Sequence, residues 1–338
     1  MTKIRTVTMM DVARHAGVSQ TTVSFVLNNA ETSNIPEETR QRVLDSIAEL
    51  GYRPNILAQG LRMKRSGFFG FITDTIAISP HAGKIFEGAQ DMAWENGKSL
   101  LLVNTKSDPK IEATAVDLLL GSRVEGIIYA TMYHRPVTLP AALHHVPTVL
   151  LDCFVEDHQL PSVVPDEVGG GYAAVKYLLE KGHRRIGFIN HVENIPAAIG
   201  RLEGYKSALH DYGIPFDPEL VSCTEGHSDN GFPCARHFLH HKNRPTALFC
   251  FNDRTAMGVY DAIRLLNLKI PQDVAVVGFD NQEIIAAHLY PGLTTMELPH
   301  YQMGVWAVQK LVEILSNAEQ TPPVQHKMAC ALIERDSA

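Results

Sequence analysis

The chain has 338 residues, with 30 lysines and arginines against 37 aspartates and glutamates, which gives a net charge of −7. An apolar fraction of 45% and a charged fraction of 20% are typical of a globular protein with a sizeable core. No apolar run reaches the roughly 18 residues that span a bilayer, and the first residues do not form a secretion signal. We therefore expect a cytoplasmic protein that does not bind membranes.

Residues that carry catalytic or metal chemistry are sparse. The five cysteines are odd in number and scattered, which favours reduced thiols over a disulfide framework or a zinc site. His237 and His241 have a spacing that can bind a metal on a helix, but no third ligand is apparent. Neither a phosphate-binding loop nor a nucleophile with its base stands out. We therefore expect no enzyme, no cofactor and no metal.

Charge divides the chain into two parts. Residues 1–65 hold nine basic and six acidic side chains, a net charge of +3, so residues 66–338 carry −10. A basic head before an acidic body is typical of a small anion-binding module joined to a larger domain with another role.

The head begins with two short helical patterns separated by Gly17, in the segment TMMDVARHAGVSQTTVSFVLNN. Thr8 is placed to cap the first helix with Asp11 as its capping-box partner, and Ser19 is placed to cap the second. Such a pair is a DNA-docking geometry in which the second helix enters the major groove. The outward face of that helix is expected to present Gln20, Thr21, Thr22 and Ser24.

A third helix is predicted to start at Pro36 and to end before Gly51. With the first two helices it would close a small core, through Val43, Ile47 and Leu50. The residues alone also fit a three-helix bundle without a DNA role, and both interpretations stay open at this point.

Residues 54–66 form a basic linker, in which Pro54 can open a short helix. So short a helix is marginal in water, and it would need a second copy of itself, DNA, or both to form. The alternative is a flexible basic linker.

From residue 67 onward, short apolar runs alternate with helical stretches in two series. This alternation predicts parallel α/β sheets in two lobes with a cleft between them. Ligands bind at the carboxyl ends of such strands. Polar residues that suit a solute with several hydroxyl groups follow several strands, namely Asp74, Asp152, Asn190, Asn252 and Asp280. Asp253 and Asp280 are also placed to be helix N-caps, and VGGGY at 168–172 is interpreted as a turn into the second lobe.

Residues 8–62 resemble the DNA-binding head of the lactose-repressor/galactose-repressor family, whose pattern runs D-V-A-x-x-A-G-V-S-x-x-T-V-S and then Y-x-P-N-x-x-A-x-x-L. The resemblance implies a homodimeric, sequence-specific repressor of transcription that binds double-stranded operator DNA. Phe25 stands where many members carry Arg or His. The DNA contacts that the resemblance implies are Thr8, Ser19, Gln20, Thr21, Thr22, Ser24, Phe25, Asn28, Asn55, Ala58 and Leu61.

The body resembles the same family, and through it the periplasmic sugar-binding proteins, in phrases such as GHRRIGFI (182–189) and IPQDVAVVGFDN (270–281). Ile195 and Ala197 replace the Arg and Thr of purine-binding members, so a small sugar-like effector is expected. The implied effector contacts are Asp74, His81, Asp152, Arg201, His227, Asn252 and Asp280.

The resemblance also implies a domain plan. It comprises a helix-turn-helix head at 1–53, a hinge helix at 54–66, a first lobe at 67–163 and 289–322, and a second lobe at 164–288 and 323–338. A function of another class is a sugar-binding protein or sugar-handling enzyme without a DNA role. A sugar-binding protein linked to transport would need an export signal, and a sugar-handling enzyme would need a catalytic dyad.

Overall fold

The computed structural model describes residues 7–27, 35–53, 66–76, 83–316 and 322–338. The chain divides into two compact units, Met1–Ser66 and Gly67–Ala338. Within the described ranges, no helix is long and apolar enough to cross a membrane. The expected hinge helix and five of the expected site residues lie outside the described residues; these five are Asn28, Asn55, Ala58, Leu61 and His81.

The described residues of the first unit form three helices, α1 (Met9–Ala16), α2 (Gln20–Leu27) and α3 (Glu37–Leu50). The predicted capping box is confirmed, because the Thr8 amide donates to the Asp11 carboxylate at 3.0 Å and the Asp11 amide donates to the Thr8 hydroxyl at 3.3 Å. The capping box fixes the residue at which α1 begins.

A small apolar core and several polar contacts hold these helices together. The Arg42 Nε donates to the Ala16 carbonyl at 3.0 Å, and the His15 ring nitrogen lies 3.0 Å from the Ser46 hydroxyl, so α3 is tied to α1. The fully or nearly buried core residues are Val12, Ala13, Ala16, Val23, Val26 and Val43. Packing of this kind gives α2 a fixed exposed face.

The first lobe of the second unit is built on a parallel sheet with strand order β2-β1-β3-β4-β5-β11. Its strands are β1 (Phe68–Thr73), β2 (Ser99–Asn104), β3 (Ile127–Pro136), β4 (Thr148–Phe154), β5 (Ser162–Pro165) and β11 (Gln325–Met328). Its helices are α4 (Gly83–Glu95), α5 (Pro109–Gly121) and α11 (His300–Ser316). Apolar cores cover both faces of the sheet, as parallel strands require.

The second lobe repeats this plan with strand order β7-β6-β8-β9-β10-β12, in which β12 alone runs antiparallel to its neighbour. Its strands are β6 (Ile186–His191), β7 (Val221–Thr224), β8 (Ala247–Cys250), β9 (Ala275–Asp280), β10 (Thr294–Glu297) and β12 (Ala331–Ile333). Its helices are α6 (Glu167–Glu180), α7 (Pro196–Asp211), α8 (Ser228–His240), α9 (Asp253–Leu265) and α10 (Glu283–Ala286). The expected α/β fold with parallel sheets is confirmed.

Two strands belong to the opposite lobe from the one expected. β10 was expected in the first lobe and pairs with β9 of the second, whereas β11 was expected in the second lobe and pairs with β5 of the first. Each strand has four residues, too few for a pattern that shows which sheet it joins. The chain therefore passes between the lobes near residues 165–167, 297–300 and 328–331.

The glycine-rich segment 168–172 lies inside α6, so the prediction of a turn is wrong. The glycines serve a close crossing of α6 and α7. A Cβ on Gly204 would lie 2.2 Å from the Val168 carbonyl oxygen, and one on Gly171 would lie 2.6 Å from the Arg201 carbonyl oxygen. Helices that meet backbone to backbone have no room for side chains at the contact.

We predict that Gly204→Ala lowers the free energy of unfolding by about 3 kcal/mol, because its methyl group would meet rigid backbone. The matched control is Gly121→Ala, at the end of α5, where an added Cβ meets nothing within 4 Å. That variant should be neutral or stabilised by up to about 1 kcal/mol. Urea unfolding followed by far-UV circular dichroism measures both, and equal effects of the two changes would contradict the close-crossing argument.

Candidate functional site

A cavity of about 580 Å³ lies between the two lobes, at the carboxyl ends of β4, β8 and β9. Its volume suits a small molecule. The first lobe contributes a wall that includes His134 and Asp152, and the second lobe contributes a wall that includes Arg201, His227 and Asp280. The cleft therefore joins the ends of strands from both sheets, as the sequence predicted.

Arg201 of α7 is the central cation of the cleft and is only 3% exposed. Its Nε donates to the Glu167 carboxylate at 2.7 Å, and its Nη1 donates to the Phe251 carbonyl. Its Nη2 lies 3.7 Å from the Asp280 carboxylate. The guanidinium carbon lies 3.7 Å from the centre of the Phe279 ring, a distance at which a cation and a ring face attract. These contacts hold the side chain in one position.

Asp152, near the carboxyl end of β4, is 3% exposed and has a φ of +55°, in the left-handed region. Its Oδ1 is buried and has no hydrogen-bond partner within the part of the chain that the structure describes. Burial raises the pKa of Asp152 well above its usual range, and the nearby Glu167, Asp74 and Asp280 carboxylates act in the same direction. A buried carboxylate oxygen of this kind is costly until a donor reaches it.

Asn252 and Asp280 border the cavity from the second lobe. The Asn252 Oδ1 accepts from the Thr255 amide at 2.8 Å and so caps α9, and its Nδ2 donates to the Gly226 carbonyl at 3.1 Å. The Gln282 Nε2 donates to the Asp280 carboxylate at 3.0 Å, and burial raises the pKa of Asp280.

The alternative assignment of Asp253 and Asp280 as helix caps is wrong, because α9 is capped by Asn252 and α10 begins after Gln282. Asp253 is instead completely buried. Its carboxylate accepts from the Gln282 amide and from the Thr295 hydroxyl, both at 2.6 Å.

Asp74 lies apart from the other expected contacts. Its carboxylate accepts from Arg135 at 2.9 Å and from the Met132 amide at 3.0 Å, and it borders a separate cavity of about 270 Å³. The strand-end pattern placed Asp74 at the correct edge of the sheet. It did not show that the Asp74 carboxylate would pair with Arg135 and border the separate cavity. The expected contacts that line the cleft are Asp152, Arg201, His227, Asn252 and Asp280.

The exposed face of α2 carries most of the residues expected to read DNA. Gln20 and Thr21 are exposed, and Phe25 is 43% exposed. Ser24 is buried, at 6% exposure, although it was expected on the outward face. It directly follows the buried Val23, and a helix turns by only about 100° per residue, so Ser24 falls at the edge of the core face.

Thr8, Ser19 and Thr22 make hydrogen bonds within the head. The Ser19 hydroxyl accepts from the Thr22 amide at 3.1 Å and lies 2.9 Å from the Thr22 hydroxyl. The predicted cap of α2 is therefore confirmed. Thr8 serves the capping box of α1 in the same way.

The same organisation occurs in known proteins. Residues 8–55 match the family described as bacterial regulatory proteins, lacI family, and residues 175–338 match the periplasmic binding protein-like domain. The HTH-type transcriptional regulator RegA of Clostridium saccharobutylicum is 36% identical over 97% of this chain and 98% of its own length. The chain belongs to the lacI family.

Two further lacI-family proteins are similar to it over almost their whole length. The ribose operon repressor of Escherichia coli (strain K12) is 33% identical over 98% of this chain and 99% of its own length. The structure of the Lac repressor dimer bound to operator and the anti-inducer ONPF is 28% identical, with a TM-score of 0.80 over 98% of this chain and 99% of that one. The protein is therefore a DNA-binding transcriptional regulator with a ligand-binding body, and its relatives are regulators rather than enzymes.

Several cleft residues of this lacI-family protein were missed by sequence reasoning. Glu167 was missed because it begins α6, and the glycine-rich segment of that helix was predicted to be a turn. His134 has a buried Nδ1 without a hydrogen-bond partner among the described residues, and burial lowers the pKa of its ring. His191 ends β6, so the search for polar residues after strands could have found it. The missed residues that line the cleft include His134, Glu167, His191, Arg254 and Gln282.

We predict that Asp152→Asn raises the free energy of unfolding at pH 7.5 by about 1–3 kcal/mol, since it removes a buried, unpaired charge. The folded-state pKa of Asp152 is raised above that of the unfolded chain, near 4. The wild type therefore loses stability as pH rises through that interval, whereas the Asn variant does not.

Urea unfolding between pH 4.5 and 8, followed by the fluorescence of Trp94 and Trp306, measures the difference in the free energy of unfolding between Asp152→Asn and the wild type. It should grow with pH. Glu156→Gln, at an exposed position of the same lobe, is the control and should show no such trend. A stability gain for Asp152→Asn that did not depend on pH would contradict the charge argument.

Proposed function

We propose that the protein represses transcription by binding a near-palindromic operator as a homodimer, and that a small polyhydroxy effector in the cleft changes this binding. The observation that carries the proposal is a buried Asp152 oxygen without a hydrogen-bond partner among the described residues, which lines the same cleft as the fixed Arg201 in a lacI-family chain. Operator DNA would place the protein in the cytoplasm.

The polar groups of the cleft suit an effector with several hydroxyl groups. A hydroxyl can donate to Asp152 and accept from Arg201 at the same time, which neither a purely apolar ligand nor a simple ion can do. The Phe251 ring and the small Ala197 supply apolar surface for the face of a sugar ring. The ribose operon repressor is a relative whose name points to the same chemistry. The proposed contacts are Asp152, Arg201, His227, Asn252 and Asp280. His81 and Asp74 stay proposals from the family resemblance alone, since His81 lies outside the described residues and Asp74 borders the separate cavity.

Asp152 belongs to the first lobe, and Arg201 and Asp280 belong to the second. An effector that bonds to both sides would favour one arrangement of the lobes over another, and only such a difference in affinity can shift an equilibrium. We propose that this shift changes the pairing of the segment 54–66 on the operator. Asn55, Ala58 and Leu61 are the residues proposed to enter the minor groove there, where Leu61 would act as a wedge.

In the major groove, the proposed readers are Gln20 and Thr21 at the start of α2. Thr8, Ser19, Thr22 and Asn28 are proposed to bind phosphates or flanking bases, since backbone contacts position the helix on the duplex. Ser24 is the weakest of the proposed contacts because it is buried.

We predict that a screen of neutral sugars and polyols finds a ligand that raises the midpoint of thermal unfolding by about 5–10 °C at 100 times its dissociation constant. The same ligand should change operator affinity in a mobility-shift titration. Asp152→Asn should lose the response and keep operator binding, while Glu156→Gln should keep both. Full-length protein without sequence-preferring DNA binding, with or without ligand and at low salt, would refute the proposal.

Phe25 generates a prediction about the operator. Its ring can contact a thymine methyl but cannot form a hydrogen bond to a base. Selection from randomised duplexes should therefore return thymine, or no preference, at the base pair opposite Phe25. Phe25→Arg should introduce a preference for guanine of about 1–3 kcal/mol.

The control for this experiment is Met10→Arg, which adds the same charge at an exposed position of α1. It should raise affinity for all duplexes alike. A strict guanine opposite Phe25 in the wild-type selection would contradict the prediction.

A further inference from the structure

We infer that Glu167 makes the cleft select uncharged or amine-bearing polyols and reject effectors with a phosphate or carboxylate group. The inference rests on the proposed effector site and goes further, because it assigns the charge of the ligand and a specificity role to a residue that the sequence did not single out.

The first observation is an excess of carboxylates around one cation. Arg201 is bound by Glu167 at 2.7 Å and faces Asp280 at 3.7 Å, so its single positive charge is already shared by two acids. The third acid, Asp152, is buried with an oxygen that lacks a partner among the described residues. Three acids therefore surround one arginine at the centre of the cleft, and that arginine has no unshared positive charge to offer an anionic ligand.

The lining also holds Arg135 and Arg254, and the buried Nε of Arg254 has no hydrogen-bond partner among the described residues. Arg135 lines the cavity, but its guanidinium is paired with the Asp74 carboxylate at 2.9 Å. His134 does not add a charge at neutral pH, because burial lowers the pKa of its ring. The acids that line the cavity are Asp152, Glu167, Glu193, Glu225 and Asp280, against Arg135, Arg201 and Arg254. The lining therefore holds five acids against three arginines.

The second observation is the way in which Glu167 binds the guanidinium. An arginine recognises phosphate or carboxylate groups through two parallel N–H bonds from one edge. Glu167 occupies the Nε position of Arg201, and the Phe251 carbonyl accepts from Nη1. An anionic effector would have to displace Glu167 from the Nε edge and would meet the Asp152 carboxylate in a buried setting where like charges repel strongly.

A hydroxyl or ammonium group has the opposite effect, because it donates to the Asp152 oxygen and relieves its burial cost. Glu167 is not needed to cap its own helix, since the preceding Asp166 accepts from the Gly169 amide at 3.0 Å. Its carboxylate is directed to Arg201, 34 residues away in the sequence. The arrangement therefore points to control of ligand charge.

The test measures a ratio of affinities. For each of several pentose and hexose scaffolds, the neutral sugar, its amino sugar, its uronic acid and its phosphate ester are titrated by calorimetry into the wild type and into Glu167→Gln. The wild type should bind neutral or amino members of a scaffold and not its anionic members. Glu167→Gln should improve the affinity for an anionic member, relative to its neutral parent, by about tenfold or more.

Glu203→Gln is the matched control, because it removes the same charge from an exposed position of α7 that does not line the cleft. It should leave the ratio unchanged. If Glu167→Gln weakens all ligands equally, or only lowers the thermal midpoint, Glu167 merely positions Arg201 and the inference is wrong. An anionic sugar that binds the wild type better than its neutral parent also overturns the inference but leaves the proposed effector site intact. A panel without any binder would overturn the proposed effector class and this inference together.

Discussion

The Arg201 guanidinium is buried against the Phe279 ring and binds the Glu167 carboxylate and the Phe251 carbonyl. A charge taken out of water is tolerated only when its partners are close and well aligned. The start of α6, the body of α7 and the ends of β8 and β9 must therefore keep their mutual positions. The glycines of α6 and α7 make this possible, because they let the helix backbones approach until the salt bridge closes at 2.7 Å.

Buried ion pairs of this kind are better understood as devices for specificity than as sources of stability. Asp152 is a buried ionisable residue of the first lobe, and the same argument applies to it. It is kept buried, in a left-handed conformation, with an oxygen that no described residue bonds, in a region where other carboxylates already lie. Such a residue costs stability in the absence of ligand and becomes useful when a ligand supplies a donor. Since its counterparts lie on the second lobe, a ligand that bonded to both sides would link its own chemistry to the arrangement of the lobes.

Much of this site follows from rules that act locally along the chain. Asp152 and Asp280 could be predicted because they lie near the carboxyl ends of parallel strands, and parallel strands of one sheet present their carboxyl ends on the same side. The capping box at Thr8 is likewise a matter of four consecutive residues. Glu167 could not be predicted in this way, because its partner is 34 residues distant and the contact depends on a glycine-mediated helix crossing. The predicted lobes of β10 and β11 were wrong for a related reason. A strand of four residues does not determine which distant strand it pairs with.

We propose that the ligand in the cleft and the operator DNA shift the same conformational equilibrium of the protein. If they shift it in opposite directions they compete, and if they shift it in the same direction they cooperate. Coupling between two binding sites must be reciprocal. The most direct measurement is the affinity for the operator at saturating ligand and with no ligand, together with the affinity for the ligand at saturating operator and with no operator, on the same preparation. We predict that both pairs of affinities change by the same factor, of about 5–150. Tight ligand binding in the cleft with no change in operator affinity would contradict it.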